Sequence, residues 1–197
     1  MIKQLSYNIT SFLVSEKIIE SQEAEIYRYG LKRLFINGIS ILFVCFIAII
    51  IHKWFESLFF FIGLMPIRAI AGGYHANTPR SCNLLSLTAY LCGLILIDFL
   101  FKKQSLCLFG IISIMILLCI YIYAPVDHVN RKLTEAECRQ GKKVALRIAT
   151  IMIITVLTSI IVSKSNSLLA TGILTGLLIA SISLVVGHFK RRGEKNV

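Results

Sequence analysis

The sequence predicts an all-α, polytopic membrane protein with about six transmembrane helices, the second one short, behind an amphipathic N-terminal helical region. Three observations carry that reading. Hydrophobic residues make up 56% of the 197-residue chain and charged residues only 16%, too little polar surface for a soluble domain of this size. Apolar runs long enough to cross a hydrocarbon core, which takes roughly 20 helical residues, recur along nearly the whole chain. They are continuous rather than alternating, so they suit helices, which satisfy their own backbone in lipid, and not barrel strands. Finally, the basic residues are unevenly distributed between the two sides that alternating spans define.

Residues 2 to 33 carry Leu5, Ile9, Phe12 and Leu13 at helical spacing, with Lys3, Glu16, Lys17 and Glu20 between the apolar positions. This is the pattern of a helix lying in the membrane interface, and the same face could dock a substrate or partner helix. A second helix is expected after Ser21, with Glu23 and Glu25 in its first turn, running toward Lys32 and Arg33. No cleavable signal peptide is expected, because this region has no apolar core followed by a small-residue cleavage site.

Six spans follow: 34–51, 55–70, 84–101, 106–124, 144–162 and 168–187. The second is about 16 residues, or roughly 24 Å of helix, and contains Pro66 and Arg68, so full crossing and partial re-entry both remain open. Residues 34–187 are thus read as one transmembrane domain, flanked by the interfacial region 1–33 and a basic tail 188–197. With the N-terminus inside, only Lys53, Lys102, Lys103 and Lys164 fall in outer loops, leaving seventeen of the 21 Lys and Arg residues inside. Both termini are therefore expected in the cytoplasm. The net charge of +11 is explained by this topology and by anionic lipid, with no call on nucleic acid.

Chemistry concentrates in residues 68–82, on the cytoplasmic side between spans two and three. Gly72 and Gly73 permit backbone angles that end the second helix, and Thr78-Pro79 reads as cap and first position of the next. Cys82 then sits near the start of a helix, where free amides and the helix dipole favour the nucleophilic thiolate. On one straight helix His75 and Cys82 would stand about 10 Å apart, too far for proton transfer. The Gly-Gly and Thr-Pro punctuation supplies the bend that could bring them together, and a cysteine beside an imidazole is sufficient for acyl transfer. Cys45, Cys92, Cys107 and Cys119 lie inside apolar runs as small hydrophobes, and only Cys82 and Cys138 stand at polar borders. No metal-ligand spacing such as His-Glu-x-x-His or Cys-x-x-Cys occurs, and no cofactor is expected.

The run Arg68, Ala71-Gly72-Gly73-Tyr74-His75-Ala76 and Cys82 resembles the signature of the accessory gene regulator B (AgrB) family, in which an arginine precedes a Gly-Gly-aromatic-His motif and a cysteine follows the histidine by seven residues. The polytopic pattern, the amphipathic N-terminal region and a basic loop between later spans extend the resemblance over nearly the full chain. It implies a membrane cysteine endopeptidase of quorum sensing in a Gram-positive bacterium. Cys82 would be the nucleophile and His75 its base, cutting the C-terminal tail from a small AgrD-like precursor and passing the acyl group to an internal thiol or hydroxyl to close a macrocycle. Some members carry an acidic residue directly after the histidine, where this chain has Ala76. Asn77 is the nearest alternative orienting group and Asp127 a more distant one.

Other charges have two readings each. Arg68 either snorkels to lipid phosphate or, with Gly73 and Asn77, binds substrate or a developing oxyanion. Asp98 either pairs with Lys102 or Lys103 at the interface or serves ion-coupled transport. The basic loop of residues 124–143 follows from topology, or attracts an acidic precursor tail. A small transporter or channel is the alternative function. A phosphotransferase fails because the chain has only Asp98 and Asp127, far apart in sequence, to hold a metal. A homodimer is left open.

Overall fold

A computed structural model describes residues 2–74, 76, 78–126, 134–163 and 167–195. Among them the chain forms seven helices and no strand: α1 (Ile2–Ser15), α2 (Ala24–Ile50), α3 (Trp54–Ala71), α4 (Pro79–Lys102), α5 (Leu106–Tyr123), α6 (Glu135–Val162) and α7 (Leu168–Lys195). The six from α2 onward are long and apolar enough to cross a membrane. The fold is the expected all-α, multi-pass architecture.

The chain divides into two compact units, Met1–His52 and Lys53–Val197. In the first, α1 buries the small polar residues Ser6 and Thr10 and leaves Leu5, Tyr7 and Phe12 exposed. Arg28, on the first turns of α2, lies over the Tyr7 ring, 4.8 Å from its centroid. The expected change near residues 33 and 34 does not break the chain: α2 continues from Ala24 through the basic segment into the apolar run. The change in polarity alters what the helix faces, but no proline interrupts its backbone hydrogen bonds there.

The second unit is built around α7, whose Ala170, Thr171, Leu174, Thr175, Leu177, Ala180, Ser181 and Leu184 are all buried. Its closest neighbour is α3. A Cβ added at Gly172 would lie 2.5 Å from the Phe59 Cβ, and one at Gly176 would lie 2.8 Å from the Leu64 amide nitrogen. In lipid, apolar surface gains little by leaving its surroundings, so helices associate through such close backbone packing at small residues. The α4 helix adds Tyr90, which is buried against Phe60 and shares a 2.6 Å hydrogen bond with the Ser57 hydroxyl. On α6 the buried positions Ala145, Ala149, Ile153, Val156 and Ile160 recur at helical spacing, while Ile151, Ile154 and Ile161 point outward. The outward face is as apolar as the inward one, as a lipid-facing helix requires.

The short second span proves to be a continuous 18-residue helix, α3, that contains Pro66. It is about 27 Å long, and its two ends mark the two ends of the unit. At the first end, Lys53 forms an ion pair with Asp98. Asp98 therefore does not pair with Lys102 or Lys103, and Lys103 lies over the Phe99 ring instead. Nearby, Gln104 donates to the Ser167 carbonyl and the Thr171 hydroxyl and accepts from the Ser167 amide, at 2.8, 2.7 and 2.9 Å. The other end carries the α3–α4 connection, the residues after α5, the start of α6 and the last turns of α7.

Candidate active site

The geometry begins where α3 stops. Gly72 (φ +75°) caps α3 by donating its amide to the Arg68 carbonyl, and Gly73 follows at φ +145°. Both angles strain any residue with a Cβ. The Val126 amide, just beyond α5, donates to the Ala71 carbonyl at 2.9 Å. The Tyr74 amide crosses to α7, where it meets the Ser183 carbonyl at 2.9 Å and the Ser183 hydroxyl at 3.1 Å. This approach needs Gly187, because a Cβ there would stand 2.8 Å from the Tyr74 nitrogen. Lys190 lies over the Tyr74 ring, 5.0 Å from its centroid.

Arg68 is half-buried and turns inward. Its Nη1 donates to the Ser183 hydroxyl and its Nη2 to the Tyr74 carbonyl, the latter at 3.2 Å. Both acceptors are neutral, so these bonds orient the guanidinium without cancelling its charge.

The start of α4 is as its sequence dictates. Thr78 is extended (φ −121°, ψ 148°) and its hydroxyl accepts from the Ser81 amide, with Pro79 in the first helical position. Cys82 is the fourth helical residue and is half-buried. Its amide already donates to the Thr78 carbonyl at 3.0 Å. The expected set of free amides is therefore smaller than a helix start ordinarily offers: Pro79 has no N–H, and the Ser81 amide is capped.

Of the residues singled out from sequence, Arg68 and Gly73 come together here, and Cys82 lies in the first turn of the helix that follows. His75 and Asn77 lie outside the described residues, as do Asp127 and His128; Tyr74 and Ala76, which flank His75, are both half-buried. None of the six cysteines is joined in a disulfide. Among the described residues, no three His, Cys, Asp or Glu side chains gather as metal ligands. Ser183 and Lys190 were not singled out by the sequence reading. The signal was the stripe of small residues Gly172, Gly176, Ala180, Ser183 and Gly187, which marks a face that another backbone approaches closely.

Fold and site together define a class: a multi-pass helical membrane protein with an inward-facing arginine at the end of one helix and a half-buried thiol in the first turn of the next. The sequence profile of the family described as Accessory gene regulator B matches residues 6–184. The chain belongs to that family. An AgrB-like protein of Clostridium perfringens (strain SM101 / Type A) is 30% identical over 167 residues, covering 82% of this chain and 78% of the relative. A second AgrB-like protein, from Clostridium perfringens (strain 13 / Type A), is 29% identical over 185 residues, covering 90% and 86%. No solved structure matches the chain. Membership gives the protein a role in accessory gene regulator quorum sensing and, at the level of the family, a precursor-peptide partner.

Proposed function

We propose that this protein is a membrane cysteine endopeptidase that removes the C-terminal tail of a small AgrD-like precursor and closes the remaining peptide into a thiolactone or lactone ring. The observation that carries the reading is Cys82, half-buried at a capped helix start directly after the Gly72-Gly73-Tyr74 segment that is tied to Arg68 and α7. His75 takes the thiol proton, and the Cys82 thiolate attacks the scissile carbonyl. The tetrahedral intermediate collapses as the tail's new amine leaves with the proton from His75, and a thioester remains on Cys82. An internal thiol or hydroxyl of the peptide then gives its proton to His75 and attacks that thioester, which closes the ring and releases Cys82. Arg68 offers a donor to the oxyanion or a cation to the peptide, Gly73 permits close approach of the peptide backbone, and Asn77 orients His75. None of these steps requires a cofactor.

Cyclisation must outrun hydrolysis, so the site has to hold the internal nucleophile near the acyl carbon and limit water. The apolar ends of α3 and α4 suit that requirement. Anionic lipid at the basic face and a homodimer are compatible with the same reading. The transporter alternative loses its main residue, because Asp98 is paired with Lys53 at the far end of the helices.

Co-expression with the precursor tests the chemistry. Cys82→Ala should abolish cleavage with the protein still inserted, and Cys138→Ser should remain active; full cleavage by Cys82→Ala would end the proposal. We place the site and both termini in the cytoplasm, on the basic-residue asymmetry. An impermeant thiol reagent should then label Cys82 in opened vesicles and leave it unlabelled in intact cells, and labelling from outside would reverse the orientation.

A further inference from the structure

One face of α4 changes character along its length. Asn83, Ser86, Tyr90, Gly93, Ile97 and Leu100 alternate three and four residues apart, so they form a single seam along the helix. From Tyr90 onward the seam is buried. It closes there on α3, where Tyr90 shares a hydrogen bond with Ser57 and a Cβ added at Gly93 would lie 2.6 Å from the Phe60 ring. Asn83 and Ser86 continue the same seam toward the start of α4, yet both are exposed, and no residue from Ser81 to Ala89 is buried. Cys82 adjoins Asn83 and stands one turn before Ser86, so the thiol lies at the open end of this uncovered stretch.

The two exposed seam positions are also polar and unpaired. Thr88, off the seam, returns its hydroxyl to the Leu84 carbonyl at 3.0 Å, the usual resting place for a hydroxyl on a helix. Among the described residues, the Ser86 hydroxyl and the Asn83 amide have no hydrogen-bond partner. Both lie in Ser81–Lys102, a stretch long and apolar enough to cross a membrane. Hydrocarbon, or an apolar helix, would leave their hydrogen bonds unmade. A cover that satisfies them must carry donors and acceptors of its own. An asparagine amide offers two donors and an acceptor, and a serine hydroxyl donates and accepts, which suits the N–H and C=O groups of an extended peptide.

We propose that Asn83 and Ser86 form a binding edge for the peptide backbone just before the scissile bond, laid along α4 from Cys82 toward Tyr90. The proposal rests on Cys82 being the nucleophile and names the part of the precursor that the site holds. Between Cys82 and Tyr90 the helix rises about 12 Å, room for about three or four residues of extended chain at about 3.3 Å each. This is the segment that remains on the enzyme as the thioester once the tail has left. Holding it keeps the acyl carbon near the internal nucleophile and covers the polar seam against water. Tyr90, sealed against α3, ends the edge.

Photo-crosslinking tests where the peptide lies. Benzoylphenylalanine is placed at position 83, 86 or 84 of the full-length Cys82→Ala protein, co-expressed with the precursor, and the adducts are mapped by peptide mass spectrometry. Leu84 is 67% exposed and lies off the seam, so it is the control. Positions 83 and 86 should join precursor residues immediately before the cut, and position 84 should not. Adducts from 83 and 86 to lipid alone, to a second copy of the chain or to the tail beyond the cut would overturn the proposal. The pattern decides the edge whether or not Cys82→Ala abolishes cleavage, so this proposal and the peptidase reading fail separately. Kinetics with Cys82 intact supply the second measurement, using purified protein in lipid vesicles and a synthetic precursor. Ser86→Ala and Asn83→Ala should each raise KM about three- to tenfold, the scale of one lost hydrogen bond, with kcat nearly unchanged. Ser86→Thr keeps the hydroxyl and should restore the parent KM. Both side chains are exposed, so these variants should insert and accumulate as the parent does. A KM that stays at the parent value in both alanine variants would overturn the edge.

Discussion

Two helix starts at the same end of this protein are nearly alike in backbone and opposite in charge. The α4 helix opens with Thr78 as cap and has Cys82 at its fourth position; α6 opens with Thr134 as cap and has Cys138 at its fourth. Each threonine hydroxyl accepts from the amide three residues on, and each cysteine amide closes the first helical turn on the threonine carbonyl. Both thiols are half-buried. The first turn of α4 contains no acidic residue, whereas that of α6 contains Glu135 and Glu137, and Glu137 completes a capping box on Thr134. The comparison teaches that a helix N-terminus alone does not single out a nucleophile here, because the chain has two such cysteines and only the surroundings differ.

The largest expected effect is a direct contest between those two thiols. Two carboxylates in the first turn of α6 oppose a thiolate through charge at close range, and the first turn of α4 has none. In the unmodified protein near neutral pH, Cys82 should alkylate at least about tenfold faster than Cys138. Competitive labelling with a small neutral reagent, read peptide by peptide, measures the ratio without any knowledge of the substrate. Equal rates would break the comparison and return the two helix starts to equivalence.

That contest also shows how far the sequence could be read. The Thr78-Pro79 start of α4 and the Gly72-Gly73 end of α3 were legible because caps and left-handed glycines are local devices with local signatures. The apolar runs were legible for the same reason, although the polar-to-apolar change near Arg33 suggested a boundary where α2 runs straight through. Long-range pairing was not legible. Asp98 has Lys102 and Lys103 within one turn, yet its partner is Lys53, 45 residues earlier. Ser183 lies 115 residues from Arg68 in an apolar helix, where a lone serine reads as a packing residue. The motif identified Arg68 and Cys82 as residues worth watching. Only the packing of α7 against α3 supplies the Ser183 hydroxyl that meets both Arg68 and the Tyr74 amide.

The smallest effect separates the caps from the charges. Replacing a threonine cap by alanine typically costs about 0.5–2 kcal/mol of helix stability. The cost should be greater at Thr134, where the capping box ties Glu137 to the Thr134 amide and hydroxyl at 2.8 and 3.0 Å. At Thr78 the hydroxyl bonds neutral groups rather than a carboxylate, accepting from the Ser81 amide and sharing a 2.7 Å bond with the Ser81 hydroxyl, and the freed N–H becomes an additional donor at the helix start. Fraying and the freed donor act on the Cys82 thiolate in opposite directions. Each is on the scale of a helix-end effect, about 0.3–1 kcal/mol. Thr78→Ala should therefore leave the Cys82 alkylation rate within about threefold of the parent, while Thr134→Ala should lower thermal stability in detergent more than Thr78→Ala does. If Thr78→Ala instead slowed Cys82 by about tenfold, the capped helix start would govern the thiol, and the two cysteines would differ for a reason other than the acidic first turn of α6.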